Sequence, residues 1–249
     1  TASRRVQSVD SGQVKLWRHS LRKDTTVLSA VQLLWGEAFF SYFLLRKKKP
    51  LEKKLRIMRA SSVHSQRALA SKECPKLIRL ALANYPLALQ SDNSLKKQKS
   101  KCSLQQLRKL DEVRLALPNV AISNNGCIKK ENVKDLMEWK LQRGKMRPQL
   151  RGLIASNSEA TVEACTKKAL GCLVHPDGAA HDTPDIQGAF KALEPVRGMG
   201  PATASALLSL FCPSKISFMA DEVLEAATGR ARTYTITAFH DMMDGLRKV

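Results

Sequence analysis

Apolar residues in the C-terminal part of the chain recur every three or four positions, which is the period of an α-helix. One such apolar face stops at Gly144, a residue type that commonly ends helices, and it consists of Val133, Leu136, Met137 and Leu141. No stretch alternates apolar and polar residues strictly, and Asn125-Gly126 lacks flanking strand patterns and is predicted to be a loop. The pattern therefore predicts an all-α protein.

Two further helices follow from the same reasoning. Residues 156–159, Ser-Asn-Ser-Glu, offer a capping box for a helix whose apolar stripe is Val162, Cys165, Ala169 and Leu173. Residues 171–184 are rich in Gly, Asp, His and Pro, which predicts a loop. The last helix is predicted over residues 234–246, and its buried side is expected to hold Ile236, Phe239 and Met243.

Residues 193–210, LEPVRGMGPATASALLSL, predict two helices joined by a tight hairpin. Thr183-Pro184 is typical of a helix N-cap followed by a first-turn proline, and the apolar positions that follow are Ile186, Ala189, Phe190 and Leu193. Gly198 and Gly200 are expected to supply positive-φ freedom and close backbone approach. Pro201 then opens a second helix, whose small residues 202–206 allow close packing.

Such a hairpin presents unpaired backbone N–H groups, backed by the positive end of a helix, to a phosphate. We therefore expect it to contact the DNA backbone, and the predicted contacts are Arg197, Gly198, Met199, Gly200, Ala202 and Thr203. Arg197 is the cation expected to meet a phosphate there. The alternative is a plain helical turn that contains two glycines.

The basic segment 139–151, WKLQRGKMRPQLR, is a second candidate surface. Its cations gather around a helix end and a turn, which suits phosphate contacts, and those predicted to bind DNA are Lys140, Arg143, Lys145 and Arg147. Trp139 either stacks on a ligand or packs in the core. The alternative is a solvated basic face.

The pattern LxxVRGMGPATASALLSL…FMADEVLEA resembles the helix-hairpin-helix DNA glycosylase superfamily, over the chain from residue 183 onward. Gly198, Gly200 and Pro201 match the hairpin of that superfamily, and Asp221 falls at the position of its catalytic aspartate. Ala202 stands where lysine-using members carry their Schiff-base nucleophile. A further resemblance, carried by residues 136–148, LMEWKLQRGKMRP, is to uncharacterised eukaryotic helix-hairpin-helix proteins and reaches back to about Asn119.

The resemblance implies that Asp221 acts in base excision. Breaking an N-glycosidic bond builds positive charge on the sugar, which a carboxylate can stabilise once the base has rotated out of the duplex. With Ala202 in place of a lysine, the implied mechanism is direct attack by water. The alternative is that Asp221 caps a short helix over residues 222–227, closed by Gly229. Glu222 departs from the family pattern and adds a negative charge facing DNA.

The positive charge of the chain, +20, is concentrated in its first part. Residues 1–110 hold 24 of the 42 basic residues and 6 of the 22 acidic ones, which leaves 18 basic and 16 acidic residues in 111–249. A basic extension of this kind suits nucleic acid or an anionic surface, or has no dedicated partner. We expect a basic, partly disordered region over residues 1–103, including a disordered segment 1–26 and a linker 91–103, followed by a helical domain over 104–249.

Residues 27–45 are apolar and long enough to span a bilayer, but Glu37 near their centre favours a buried or amphipathic helix over a membrane span. The six cysteines form no CxxC pair and no zinc spacing, which predicts a reduced intracellular protein without a metal site or other cofactor. No cysteine follows Asp221 in this sequence, so the iron–sulfur loop of some glycosylases is not expected. His175 and His181 share a loop with two aspartates and are expected to be solvated.

The sequence thus predicts a nuclear DNA-binding protein that contacts backbone phosphates and acts, in one interpretation, as a monofunctional base-excision enzyme. Two alternatives remain open at this point. One is a catalytically silent scaffold with the same fold, and the other is a membrane-associated protein anchored by residues 27–45.

Overall fold

A computed structural model of the chain describes residues 103–143, 147–230 and 233–247. These residues contain eight α-helices and no β-strand, so the all-α prediction is confirmed for this part of the chain. The helices are α1 (Leu104–Ser123), α2 (Lys130–Arg143), α3 (Gln149–Ala155), α4 (Glu159–Gly171), α5 (Ile186–Leu193), α6 (Pro201–Leu208), α7 (Asp221–Thr228) and α8 (Ile236–Arg247).

The helices α1 and α2 pack against each other around Trp139. The indole Nε1 of Trp139 donates to the buried carboxylate of Asp111 at 2.9 Å, and the guanidinium of Arg114 lies 4.2 Å from the centre of the indole ring. Only 2% of Trp139 is exposed. Of the two expectations for this residue, the structure adopts core packing, and its ring is not available to stack on a ligand.

The second hairpin helix, α6, lies at the centre of the described fold. Every residue from Ala202 to Leu208 is buried, because the small side chains at 202–206 let neighbouring helices approach closely. Both α5 and α2 pack directly on α6. This contact with α2 brings the predicted basic segment next to the hairpin.

The caps of α4 and α5 differ from those predicted. Ser158 caps α4 by accepting from the N–H of Thr161, whereas Ser156 ends α3, so the predicted capping box over residues 156–159 is wrong. Asp185, rather than Thr183, caps α5 by accepting from the N–H of Gly188. The backbone N–H of Asp185 also donates to the carbonyl of Cys172, which places residue 185 at the point where the loop ends.

The last two helices pack tightly through a glycine. A Cβ at Gly245 of α8 would collide with the backbone carbonyl of Ala227, at the end of α7. The helix α7 ends at Gly229 in the left-handed conformation, as predicted. The helix α8 begins at Ile236, two residues later than predicted, because Thr235 accepts from the N–H of Ala238.

One hydrophobic core contains residues from all eight helices, and the predicted core side chains Phe190, Leu193, Phe239 and Met243 belong to it. Among the described residues, no helix is both long and apolar enough to cross a membrane. The expectations for residues 1–26, 27–45 and nearly all of the predicted linker 91–103 lie outside the described residues. Cys127, Cys165, Cys172 and Cys212 are free thiols.

Candidate nucleic-acid interface

The hairpin between α5 and α6 needs one of its two glycines for its backbone conformation. Gly198 has φ +87°, and a Cβ there would lie 3.2 Å from side-chain atoms of Ile154 and Leu153. Gly200 has φ −67° and ψ 173° as the N-cap of α6, and a Cβ there would meet nothing within 4 Å. The prediction of positive φ is therefore confirmed at Gly198 and wrong at Gly200. The space in front of the Gly200 backbone is open.

Three amide N–H groups of the hairpin, those of Gly198, Gly200 and Ala202, form no hydrogen bond with any described residue. The N–H of Met199, which lies between Gly198 and Gly200, is paired, because it donates to the carbonyl of Val196. Gly200 and Ala202 lie at the N-terminal end of α6, where the helix dipole adds positive potential. This arrangement can accept an anion such as a phosphate oxygen.

The predicted hairpin residues divide into one exposed cation and a buried set. Arg197 is exposed, whereas the exposed fractions of Met199, Ala202 and Thr203 are 4%, 8% and 3%. The side chains of these three residues pack in the core and do not face solvent. Within the hairpin, a ligand would therefore meet the Arg197 guanidinium and the backbone.

Asn157 fixes the position of the hairpin relative to α3. Its Oδ1 accepts from the N–H of Arg197 at 2.8 Å, and its Nδ2 donates to the carbonyl of Arg197 at 3.0 Å. The same Nδ2 also donates to the carbonyls of Leu153 and Ile154, near the end of α3. Asn157 is buried, and its two bonds to the Arg197 backbone are partly buried.

Lys140 of α2 reaches the first turn of α6. Its Nζ donates to Thr203 Oγ1 at 2.8 Å. Burial and, to a smaller extent, the positive charge of Arg147 lower the pKa of Lys140 to about 8, while the negative charge of Asp221 acts in the opposite direction. Two predicted DNA-binding cations, Lys140 and Arg147, therefore lie together with Asp221 beside the hairpin.

Asp221 is not the cap of α7. Ala220 occupies the N-cap and Asp221 is the first helical residue, so the alternative that Asp221 is an N-cap is wrong. The carboxylate instead accepts from the hydroxyl of Tyr234 at 2.5 Å. Burial raises the pKa of Tyr234, and the Asp221 carboxylate raises it further. Arg147 partly offsets this effect, and its guanidinium lies 5.0 Å from the Tyr234 ring centre.

The other residues predicted from the sequence do not join Lys140, Arg147 and Asp221. The side chain of Arg143 and the whole of Lys145 lie outside the described residues. Arg151 forms a two-pronged ion pair with Glu138, 2.7 Å at each bond. His175 and His181 contact each other through their ring nitrogens at 3.1 Å, and no group of metal-ligating residues is found within the described part of the chain.

Sequence reasoning misses two residues of the site, Asn157 and Tyr234. Asn157 lies within the predicted capping sequence, and its partner Arg197 is 40 residues away. Tyr234 falls at the start of the predicted last helix, where the sequence indicates no role at the site. Its pairing with Asp221 becomes apparent only once α7 and α8 are packed.

Lys140, Thr203, Arg147, Asp221 and Tyr234 thus form one polar group beside the unpaired amides of the hairpin, and we name this group the Lys140 cluster. It combines two cations, a carboxylate and a phenol. Comparisons of the chain with protein-family models, with curated proteins and with solved structures found no match.

Proposed function

We propose that this protein binds the sugar–phosphate backbone of duplex DNA through the α5–α6 hairpin, with little dependence on base sequence, and that it works in the nucleus. The observation that carries the proposal is the set of unpaired amides of Gly198, Gly200 and Ala202 at the start of α6. An anion at that point gains hydrogen bonds and the favourable end of the helix dipole.

Three cations support this assignment. Arg197 is exposed within the hairpin, and Lys140 and Arg147 lie in the Lys140 cluster next to it. Residues 111–249 carry 18 basic and 16 acidic residues, so their net charge alone would attract DNA weakly. The attraction to DNA therefore comes from the position of these three cations beside the hairpin and from the excess of basic residues in 1–110.

Base excision is the second candidate function, and Asp221 favours it. A carboxylate that caps a helix is accounted for by local structure, but Asp221 does not cap α7 and is held by Tyr234 instead. Beside a DNA-binding hairpin, such a carboxylate could stabilise positive charge on a deoxyribose and orient an attacking water molecule. The resemblance to the helix-hairpin-helix glycosylases agrees with this second function. If the protein releases no base, it is instead a catalytically silent scaffold.

The test of backbone binding is the affinity of the full chain and its Gly200→Ala variant for duplexes of unrelated sequence. Gly200 has an ordinary φ and open space around its Cβ position, so alanine there is compatible with the fold. The added methyl group would stand where a phosphate must approach the amides. We expect binding to weaken about tenfold, equivalent to about 1.4 kcal/mol, by the same factor for every duplex.

Gly171→Ala is the matched control, since a Cβ at Gly171 at the end of α4 also meets nothing within 4 Å. It should leave DNA affinity unchanged. Equal affinities of the Gly200→Ala and Gly171→Ala proteins would contradict hairpin binding. A loss confined to one DNA sequence would show that the hairpin contacts base edges rather than phosphates.

A further inference from the structure

The loop between α4 and α5 brings two histidines into contact. Residues 173–181, which we name the histidine loop, fold back on themselves as two short antiparallel arms. The N–H of His175 donates to the carbonyl of Ala179 at 2.8 Å, and the N–H of His181 donates to the carbonyl of Leu173 at 2.9 Å. Residue 175 therefore lies opposite 179, and residue 181 lies opposite 173. This pairing places both histidines on one face of the loop as diagonal neighbours.

The ring nitrogens of the two histidines point at each other. His181 Nδ1 lies 3.1 Å from His175 Nε2, and His181 Nε2 lies 3.1 Å from the carbonyl oxygen of Gly171. A carbonyl can only accept, so Nε2 of His181 carries the hydrogen and its Nδ1 presents a lone pair to His175. A bond from the outer ring nitrogen to a backbone carbonyl also orients most metal-binding histidines. The ring of His181 is therefore held in the orientation that a metal ligand needs.

The distance between the two nitrogens suits a shared metal ion. An imidazole nitrogen binds Zn(II) and similar ions at about 2.0–2.1 Å. Two such bonds place the nitrogens about 2.9 Å apart when they meet at a right angle, and about 3.3 Å apart when they meet at the tetrahedral angle. The observed distance of 3.1 Å lies between these two values. With the ring hydrogen of His175 on Nδ1, small rotations of the rings would direct both lone pairs at one ion.

The charge of the surrounding sequence also favours a cation. Residues 169–190 contain three aspartates, Asp177, Asp182 and Asp185, and no lysine or arginine, although the net charge of the chain is +20. A local excess of negative charge attracts metal ions to the loop. The described part of the chain holds no group of three or more metal-ligating side chains. The protein therefore supplies two ligands here, and water completes the set.

We propose that His175 and His181 chelate one divalent transition-metal ion of the class that imidazole binds, with Cu(II) held more tightly than Ni(II) or Zn(II). The ion replaces the bond between the two rings and joins the two arms of the histidine loop. It binds neutral imidazoles, so acid should release it. Neither histidine belongs to the Lys140 cluster, and the test uses no DNA. The site therefore stands or falls separately from the function proposed above.

The test is a titration of the full chain, without a purification tag, with Cu(II) in the presence of glycine as a competing chelator. His175→Gln and His181→Gln should each retain one Cu(II) ion fewer than the unsubstituted protein, because a single imidazole cannot chelate. Affinity at the site should fall at least about tenfold in either variant. His240→Gln is the matched control, since His240 is an exposed histidine of α8, and it should retain as many ions as the unsubstituted protein.

A second measurement uses the unsubstituted chain, so it does not depend on whether a variant folds. Diethyl pyrocarbonate acylates free imidazole nitrogens, and peptide mass spectrometry locates the modified residues. Cu(II) should protect His175 and His181 together and leave His240 as reactive as before. Protection of only one of the pair, or of neither, would overturn the proposal. Equal retention of Cu(II) by the three variants would overturn it as well.

Discussion

The amine of Lys140 lies among buried atoms of α2 and α6, and burial lowers its pKa to about 8 from the 10.5 of an exposed lysine. Between pH 8 and pH 10.5, residue 140 binds more protons in the unfolded chain than in the folded chain. The free energy of unfolding therefore rises with pH across that window, and below pH 8 the cost of burying the charge is fully present.

Lys140→Met should remove this cost. We expect the variant to be more stable than the unsubstituted protein at pH 7 by about 1–2 kcal/mol, after allowing for the bond that Thr203 loses. The difference should shrink as the pH rises from 8 to 10.5. Urea unfolding at pH 7, 8, 9 and 10 measures it. A variant that is less stable at pH 7, with an unchanged difference at pH 10, would contradict the account.

Asp221→Asn tests the second function at the same scale. Asparagine can still accept from the Tyr234 hydroxyl, so the fold should persist, and loss of a negative charge should leave duplex affinity unchanged or tighter. Asparagine cannot stabilise a cationic sugar, so release of the excised base should stop. Base release is measured as alkali-labile sites on lesion-bearing duplexes. Equal release by the variant, or none by the unsubstituted protein, would exclude Asp221 as a catalytic residue.

At the scale of elements, the hairpin owes its position to the contact with the end of α3. Asn157→Ala would remove four hydrogen bonds, two of them to the backbone of Arg197. Because the freed backbone groups are partly or fully buried, we expect a loss of about 1–3 kcal/mol in unfolding free energy. Duplex binding should weaken as well, since the amides of the hairpin lose their fixed spacing.

Ser158→Ala, which removes the cap of the neighbouring helix α4, is the control for this prediction. It should cost about 1 kcal/mol and leave duplex affinity unchanged. Thermal unfolding and duplex titration of both variants give the comparison. An Asn157→Ala protein that binds DNA like the Ser158→Ala protein would show that Asn157 does not position the interface.

Helix positions are predictable from the sequence because apolar periodicity depends on residues three or four apart. The predictions for the apolar positions of α5, the buried small residues of α6 and the closing Gly229 are all confirmed. Caps are less predictable, since Thr183 and Asp185 are both suitable cap residues and a tertiary bond to Cys172 decides between them.

The site is only partly predictable from the sequence, because it too depends on tertiary contacts. Gly198 can be assigned because a positive φ restricts the residue type. The bond between Lys140 and Thr203 joins residues 63 positions apart, and the bond between Tyr234 and Asp221 depends on how α7 packs against α8. No local pattern in the sequence encodes either contact.

At the scale of the whole molecule, most of the positive charge and the hairpin lie in different parts of the sequence. Residues 1–110 carry 24 basic and 6 acidic residues, whereas the hairpin belongs to the nearly neutral part. We therefore expect the basic part to supply most of the long-range attraction to DNA and the hairpin to supply a small number of phosphate contacts.

Arg197→Ala should reveal this division through the salt dependence of duplex binding. Each phosphate contact contributes about 0.9 to the slope of log affinity against log salt concentration. We expect the slope to fall by about 0.9 in the variant while most of the slope remains. An unchanged slope would mean that Arg197, though exposed, does not contact a phosphate. A slope close to zero would mean that residues 1–110 contribute little to DNA binding.

The most direct measurement of the central claim is an NMR titration of the full chain, labelled with ¹⁵N at its 12 glycines, with a short DNA duplex. If the hairpin holds a phosphate, the amide protons of Gly198 and Gly200 gain an acceptor, and their signals should move strongly downfield. The signals of Gly171 and Gly245, on α4 and α8, should stay in place. Saturable DNA binding that leaves the Gly198 and Gly200 signals unmoved would contradict the assignment of the hairpin as the DNA-binding site.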